Sequence, residues 1–572
     1  MQIFRPLCSI NQLPCVRLFS PRPCFTPVGI ALFRRLNRER RLFRQVPWQR
    51  SLMTVSSKPL FGLSIDRTVW RYKITTRHQE ENIMSEEEKQ ELNTSMQEFH
   101  ENPVEFMNSI PPKYDGDVLD SSGASAFHQE DIEQNVHVDA RDALRQQTTE
   151  RDEVAVGRAA FADNDEADGF VDTFRFSGLQ SMQDNGLMQA SLQECPWSDD
   201  YWAFYQGSLG KRYADYSFPN SSDWKKNYDY VQRNPASAIL AQGDMNAINC
   251  LSPAEKYDIL VGDSDYSLTR KMWELGRKYY VRDGHVQAWM GLCHGWAPAA
   301  YMLPRPTGTA TVLAADGRTY LTFYPSDIKA LATLLWAKVK YRSRFIGGRC
   351  TDKNPAKDPA TGRVLSQICF DTNPGTWHLA VVNQIGVAKR SMVMDATYDY
   401  QVWNQPILSY SYRYVNPKTR YYGRSLSQVT VAKDDFTNDR FVQFRSDKTE
   451  SIVGIEMMVS YVVETSPTHS TVDSPASDQV RTVRYLYDLE LDFAGNIIGG
   501  EWYQNAHPDF LWTPVQGERI ATGAERYISF NEQWQSGQPL TQQWQQSASL
   551  AAEYEKAPLA AIVEQLIAFA NS

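Results

Sequence analysis

The sequence has no apolar run of the roughly 18–20 residues that a membrane-spanning helix needs. It also has no CxxC pair among its 8 cysteines, so zinc-ribbon and thioredoxin chemistry have no support. Acidic charge is nearly missing from the first 50 residues, which hold ten arginines, no lysine and only Glu39 as an acid. The net charge of −9 therefore leaves about −18 on the remainder. This acidic body argues against nucleic acid as the main partner, because binding it requires cations that neutralise phosphates.

The N-terminus lacks a clear secretory signal, since arginines flank only short apolar patches. Such a leader is typical of an organelle transit peptide, or of upstream sequence attached to a chain that starts at Met84. We expect a basic leader over residues 1–83 that contributes little to the fold. An acidic segment over residues 84–178, disordered or a pro-segment, should follow. Its run 162–169 lacks the ligand spacing of an EF-hand, so it predicts a linker rather than a metal site.

The rest of the chain has helical signals first and strand signals later. Ser252 is a helix N-cap, with Pro253 in the first turn and Glu255 three residues after the cap. Helical spacing continues over residues 268–280. Strand-like runs follow at 377–382, 391–395, 408–424 (strand and loop), 452–463 and 485–493. This order predicts an α+β catalytic domain over residues 179–535.

The last segment, residues 536–572, carries one apolar helical face. Leu559, Ile562, Val563, Leu566 and Phe569 form this face. Their spacing predicts a C-terminal amphipathic helix.

The sequence around Cys293 is the strongest sign of chemistry. Gly291 permits a tight turn before Cys293, and a helix N-terminus there would lower the pKa of the thiol. His378 and Asp395 follow on two apolar runs, in the order cysteine, histidine, acid that resembles papain-like folds. Gln287 precedes Cys293 by six residues, the offset at which papain-like enzymes place the side-chain amide of the oxyanion hole. The pattern predicts a catalytic triad of Cys293, His378 and Asp395.

Each member of this triad also has a structural interpretation. Cys293 could be inert core, and His378 a hydrogen-bonded strand residue. Asp395 could cap a turn while Asp399 orients the histidine. His507, with an acid nearby, is a rival base. His294 adjoins Cys293, but neighbours on a helix point apart, so we interpret that histidine as structural.

Three stretches resemble the transglutaminase elicitor family of oomycete plant pathogens and marine bacteria. They are the segment around Cys293, the tract Met394–Pro406 and the block Trp197–Tyr201. The resemblance covers about residues 185–515. It implies a papain-like core, calcium-dependent activity and an acyl-transfer role for Cys293. It also implies secretion, and a surface peptide opened by Val402–Pro406 that plant immunity recognises, although the sequence departs from the family after Pro406.

The resemblance predicts a protein-glutamine γ-glutamyltransferase. The Cys293 thiolate would attack the γ-carboxamide of a protein glutamine, and Gln287 would stabilise the oxyanion. His378, oriented by Asp395, would protonate the leaving ammonia, and a lysine amine would then take the acyl group. The expected partners are proteins or peptides that carry glutamine and lysine. Four tryptophans, of which we expect at least two to be core, could wall the amine slot: Trp289, Trp296, Trp377 and Trp403.

Two other functions fit the same residues. A cysteine peptidase or glutamine deamidase would use the same triad with water as the acceptor. An elicitor or binding protein would need only surface residues around Trp403, and its effect would survive loss of Cys293. A disulfide between Cys350 and Cys369 is an option if the chain is exported. The sequence does not identify the oligomeric state.

Overall fold

A computed structural model describes residues 86–115, 166–348, 355–365, 369, 371–397, 401–527 and 534–572. All of them belong to one structural unit, Glu81–Ser572. The predictions made for residues 1–83, Cys350 and Asp399 lie outside the described residues.

The described strands form one large sheet and one small hairpin. Their bounds are β1 Lys113–Asp115, β2 Gln189–Ser191, β3 Ala310–Leu313, β4 Tyr320–Phe323, β5 Ser343–Gly347, β6 Val393–Asp395, β7 Asn404–Val415, β8 Tyr422–Gly423, β9 Val431–Ala432, β10 Ser451–Val463, β11 Gln479–Leu491, β12 Ile497–Trp502 and β13 Phe510–Pro514. The large sheet has 11 of these strands, ordered β1-β11-β10-β7-β6-β13-β5 along its main path. Every described ladder is antiparallel.

The helices lie mostly before the long strands. Their bounds are α1 Glu86–Glu101, α2 Pro103–Met107, α3 Ala167–Phe170, α4 Leu179–Asp184, α5 Trp224–Arg233, α6 Ala236–Gln242, α7 Met245–Asn249, α8 Pro253–Val261, α9 Ser267–Asp283, α10 Cys293–Met302, α11 Pro325–Lys338, α12 Pro374–Val381, α13 Leu426–Val429, α14 Gln542–Leu550 and α15 Ala560–Ala570. This arrangement confirms a mixed fold of helices with a large antiparallel sheet. Among the described residues, no helix is long and apolar enough to span a membrane.

Two predicted helices form for the predicted reasons. The Ser252 side chain accepts from the backbone N–H of Glu255, and the Glu255 carboxylate accepts from the backbone N–H of Ser252, a reciprocal cap at the start of α8. At the other end of the chain, α15 buries Ile562, Val563 and Leu566 in the larger core cluster. The capping and amphipathic patterns were therefore reliable signals.

Neighbouring residues of two strands belong to two different apolar clusters. In β6, Val393 belongs to the helix-rich cluster that contains Cys293, and Met394 belongs to a second cluster among the long strands. In β13, Trp512 and Leu511 divide in the same way. Because successive side chains of a strand point to opposite faces, these two clusters lie on opposite faces of the sheet here.

The strand predicted over residues 377–382 is wrong, because this segment is helical. Asn373 caps α12 by accepting from the backbone N–H of Gly375, and Pro374 occupies its first turn. A π-helix, Val382–Val387, continues it. The whole segment is buried on most sides, so its short apolar run had no periodicity that separates strand from helix.

Residues 86–115 pack against the sheet instead of standing apart from it. The strand Lys113–Asp115 pairs with β11 at the edge of the sheet. In the same segment, α1 and α2 form an apolar cluster with Val415 and Tyr503. The cluster members from this segment are Leu92, Met96, Phe99, Phe106 and Met107. We call residues 86–115 the N-terminal strap; whether the longer segment 84–178 acts as a pro-segment stays a prediction.

Candidate functional site

Cys293 is the first residue of helix α10 and is 6% exposed. The turn before it is held by Tyr201, whose backbone carbonyl accepts from the N–H of Leu292 at 2.6 Å. The Tyr201 hydroxyl donates to the carbonyl of Ala288 at 2.8 Å. Gly291 is required here because a Cβ atom would lie 2.4 Å from the Tyr201 carbonyl oxygen. The predicted tight turn before the cysteine is confirmed.

The Cys293 sulfur lies between a side-chain amide and a backbone carbonyl. Asn404 Nδ2 donates to Sγ at 3.5 Å, and the thiol faces the carbonyl of Val402 at 3.7 Å. The Trp512 indole N–H donates to Asn404 Oδ1 at 2.8 Å, which fixes the amide with its N–H groups toward sulfur. Strand β7 thus begins by presenting an oriented donor to the nucleophile candidate.

The surroundings of the Cys293 sulfur favour the thiol over the thiolate. Burial, together with the Glu464 and Asp395 carboxylates, raises the pKa of Cys293 to about 11, although the hydrogen bond from Asn404 acts in the opposite direction. The helix N-terminus was expected to give a low pKa, but burial is the larger influence here. Forming the thiolate therefore needs a proton acceptor or a change in the surroundings of the sulfur.

Asp395 lies close to this site at the end of β6. It pairs with Asn404 across the ladder between β6 and β7. Its Oδ1 accepts from the Thr397 hydroxyl at 2.8 Å and from the backbone N–H of Trp403 at 3.0 Å. The carboxylate therefore links Thr397 and Trp403 to the end of β6, a bonding pattern that fits the capping role that the sequence left open.

His378 lies elsewhere, on helix α12. Its Nδ1 bonds the Tyr487 hydroxyl at 2.9 Å, and its ring packs edge-on against Tyr412. Its Nε2 is buried and has no hydrogen-bond partner among the described residues. Burial lowers the pKa of His378 to about 3. The structure thus brings Asp395 toward Cys293 but does not join His378 to either residue by a hydrogen bond, and the three catalytic roles stay predictions.

Gln287 and Trp289 lie in the loop before Cys293. The Trp289 indole donates to Gln287 Oε1 at 2.6 Å, so the amide oxygen is already used within the loop. No hydrogen bond from Gln287 to the sulfur is recorded in the described part, and the oxyanion role stays a prediction.

The other three predicted slot tryptophans separate into core and surface. Trp296 and Trp377 are both 0% exposed, in opposite clusters. Trp403 is half-buried, and its ring lies 5.3 Å from that of Tyr201. Only Trp403 of these three can contact a ligand beside Cys293 without a change in the core.

The Val402–Pro406 stretch is not a surface peptide in this fold. Val402 is 6%, Asn404 1% and Gln405 3% exposed, and Pro406 is buried. Residues 404–406 begin β7, and Val402 and Asn404 contact the Cys293 sulfur. The expected surface position is therefore wrong for all of these residues except the half-buried Trp403.

The other two histidines considered from the sequence are His507, which is buried, and His294, which is half-buried. Burial lowers the pKa of His507 to about 4, and its ring stacks on Trp502 at 4.6 Å. Burial and the nearby Lys338 lower the pKa of His294 to about 3. Neither ring bonds Cys293, whose recorded hydrogen-bond partners are Val402 and Asn404.

A partly exposed carboxylate lies beside the cysteine. Glu464 follows β10, and Gln405 Nε2 donates to both of its oxygens at 2.9 Å. Burial and the Asp200 carboxylate raise the pKa of Glu464 to about 7, although Gln405 and Arg481 act in the opposite direction. With Tyr201 and Trp403, Glu464 forms what we call the mouth of the site.

The described residues offer no obvious calcium cage. No group of three or more histidine, cysteine, aspartate or glutamate side chains gathers in them as a metal set. Calcium prefers six to eight oxygen ligands, whereas Asp200 beside the site is engaged by Lys211 at 2.8 Å. We therefore derive no catalytic step through this ion.

Comparisons with known proteins place the chain in a family. The family model described as "Transglutaminase elicitor" matches residues 171–535, more than half of the chain. The chain belongs to the transglutaminase elicitor family. The match spans Cys293, Asn404 and Glu464, so the whole site of this family member lies within the shared region.

Other comparisons add little for this transglutaminase elicitor family member. No curated protein matches the chain significantly. Among solved structures, the GP42 transglutaminase from Phytophthora sojae is similar, with 20% identity over 59% of this chain and 86% of that one, and a TM-score of 0.41. That score is too low to carry an argument about fold or activity.

The sequence missed several residues of this site. Asn404 lay inside the tract that carried the family resemblance but had no assigned role, and its place in that tract was its only signal. Glu464 and Trp512 lie 171 and 219 residues beyond Cys293. Nothing in the chain around either residue marks it as part of the site.

Proposed function

We propose that this chain is a protein-glutamine γ-glutamyltransferase that forms isopeptide cross-links between protein glutamine and lysine. One observation supports it above the others: in a member of the transglutaminase elicitor family, Cys293 begins a helix and receives a hydrogen bond from an oriented amide, Asn404. The half-buried aromatic rings beside it suit a site that admits a side chain and limits water.

The proposed reaction begins with loss of the Cys293 proton. The thiolate attacks the γ-carbonyl carbon of glutamine, the C–N bond breaks, and ammonia leaves with one added proton. A lysine amine then attacks the thioester, a new C–N bond forms, and the C–S bond breaks. The first backbone N–H groups of α10 have no partner within the helix, so they are natural donors for the oxyanion. Gln287 is the proposed side-chain donor.

His378 and Asp395 are the proposed proton-transfer pair. In the observed conformation His378 bonds Tyr487 and packs against Tyr412, both in the cluster opposite that of Cys293. The pair therefore requires a rearrangement of the sheet and its neighbouring helices, as well as loss of the Tyr487 bond. Asp395 needs no such movement, because its carboxylate already influences the Cys293 thiol. This difference makes His378 the member of the proposed triad that most needs a direct test.

Three further proposals rest on family membership. The helix that carries Cys293 packs beside antiparallel strands, which supports a papain-like core. Calcium-dependent activity and secretion are proposed from the family alone. The substrates would be proteins or peptides with accessible glutamine and lysine.

The deciding experiment measures incorporation of dansylcadaverine into a glutamine-containing protein, with and without calcium. The Cys293→Ala variant should lose incorporation, whereas Cys250→Ala, another free cysteine, should retain it. Release of ammonia or cleavage of the protein without amine uptake would instead indicate a hydrolase. An elicitor or binding protein would show neither activity, and its biological effect would persist in the Cys293→Ala variant.

A further inference from the structure

The mouth of the site has the composition of a cation-binding pocket. Glu464 is partly exposed, and it acts electrostatically on both the Cys293 thiol and Tyr201. The rings of Tyr201 and Trp403 lie 5.3 Å apart and are both half-buried. A carboxylate combined with aromatic faces is the usual environment for an ammonium group.

A second acceptor lies within the same group of side chains. Gln405 is 3% exposed, and its Nε2 donates to Glu464. Its Oε1, on the same amide, has no hydrogen-bond partner among the described residues. An unmet buried carbonyl oxygen carries a free-energy cost. An ammonium group has three N–H donors and no acceptor, so it matches a carboxylate and an amide oxygen side by side.

The charged groups around Glu464 leave it available for such a ligand. Asp200 adds negative potential and is paired with Lys211. Arg481 adds positive potential and already pairs with Asp115 at 3.3 Å. Tyr461, a further neighbour, is buried. No lysine or arginine bonds Glu464 in the described part of the chain.

We propose that Glu464, Gln405 Oε1 and the rings of Tyr201 and Trp403 form the subsite for the cationic amine of the acyl acceptor. This inference rests on the proposed transferase function and adds a location and a chemical preference to it. The subsite favours unbranched primary ammonium groups, such as a lysine side chain, over neutral nucleophiles.

The subsite also provides an acceptor for the proton that the ammonium must lose before the transfer step. The ammonium gives one proton to the Glu464 carboxylate and becomes a neutral amine. The amine nitrogen attacks the thioester carbonyl carbon, the C–N bond forms, and the C–S bond breaks. The second amine proton goes to the departing sulfur, which restores the Cys293 thiol, and the glutamic acid returns its proton to water.

The test compares two acceptors of different charge, dansylcadaverine as the cation and hydroxylamine as the largely neutral nucleophile. The readout is the ratio of kcat/KM for the two. In Glu464→Gln this ratio should fall about tenfold, the effect expected on losing a charged hydrogen-bond partner. Glu464→Asp should restore part of it. Glu518→Gln, which removes a carboxylate from the exposed pair with Arg342, should leave the ratio unchanged.

Trp403→Leu provides a second arm if Glu464→Gln fails to fold, and it should also lower the ratio. An unchanged ratio in both folded variants would overturn the subsite while leaving the transferase intact. If the wild-type protein incorporates neither nucleophile, the proposed function itself fails and the subsite fails with it.

Discussion

At the scale of single residues, Asn404 has the clearest influence on the Cys293 thiol. Its amide is held by the Trp512 indole and donates to the Cys293 sulfur. A donor to sulfur stabilises the thiolate more than the thiol, so it lowers the pKa of the cysteine. Asn404 therefore partly offsets burial and the two nearby carboxylates.

Replacing Asn404 should make the thiol less acidic. In Asn404→Leu, the pH midpoint of Cys293 alkylation should rise, and the rate at pH 8 should fall about threefold to tenfold. Mass spectrometry of the Cys293 peptide after timed iodoacetamide treatment measures this rate. Cys250 in the same sample is an internal reference whose rate should not change. An unaltered profile at Cys293 would show that the hydrogen bond has no effect on reactivity.

His378 separates two interpretations by its pH dependence. Its folded-state pKa of about 3 lies below the unfolded value of 6.5, so the neutral ring contributes stability above pH 6.5 that is lost as the pH falls toward 3. His378→Gln should therefore reduce the slope of unfolding free energy against pH in this window, by up to about 1.4 kcal/mol per pH unit. Denaturant unfolding between pH 3 and 7 measures it.

The same variant tests catalysis. If His378 is the general base, His378→Gln should lower kcat by roughly a hundredfold or more in folded protein. Amine incorporation at pH 8 by a variant with native circular dichroism decides this. Retained activity would remove His378 from the mechanism and leave a purely structural role in the buried tyrosine cluster.

The residue scale also shows how far the sequence could go. Cys293 was identifiable because glycine and a helix start surround it, and these are local features. His378 was assigned from its distance along the chain, which does not determine on which face of a sheet a side chain lies. Glu464 had no local mark at all, because only the folding of β10 beside β7 brings it to the site.

At the scale of elements, the N-terminal strap covers a face that would otherwise be exposed. Phe99 is 3% exposed, and its ring stacks on Tyr503 at 4.4 Å and on Phe441 at 5.7 Å. In the same helix, Glu91 pairs with Arg484 of β11 at 3.0 Å. The strap thus combines apolar burial with ion pairs to the polar face of the long strands.

Removing the Phe99 ring should therefore destabilise the whole fold. Phe99→Ala should lower the free energy of unfolding by about 3–5 kcal/mol, because it leaves a cavity among stacked rings. Guanidinium unfolding followed by tryptophan fluorescence measures this change. Val104→Ala, at a position that is 41% exposed in the same segment, should cost less than about 0.5 kcal/mol. A small effect at Phe99 would support the idea of a dispensable pro-segment.

Helices with a capping residue or an amphipathic face were predictable from the sequence, and a fully buried helix was not. The cap at Ser252 and the apolar face of α15 gave correct helices because both depend on residues close in sequence. The segment 374–381 is covered on nearly every side, so its burial pattern has no period, and tertiary contacts decide its form. The strap was obscured by its polar and acidic composition, although Leu92, Met96 and Phe99 stand at helical spacing.

At the scale of the whole molecule, a prediction concerns whether activity and stability require bound calcium. A calcium requirement is part of our proposal, and any site must use backbone carbonyls, fewer than three acidic or histidine side chains, or residues outside the described part. Chelation with EGTA should abolish amine incorporation and lower Tm, and added calcium should restore both. Magnesium at the same concentration is the control. Identical activity and melting with and without EGTA would exclude a calcium requirement.

The family match covers residues 171–535, but the core extends past both limits. Leu92 and Phe99 pack from one side of this range, and Leu559 and Leu566 pack from the other. The range that matches the family is therefore shorter than the part of the chain that shares the apolar core. A gene fragment limited to residues 171–535 would encode Cys293 and its neighbours, yet its product would carry two uncovered apolar surfaces. Such a product should self-associate through these surfaces, because apolar area that the flanks normally cover would face water.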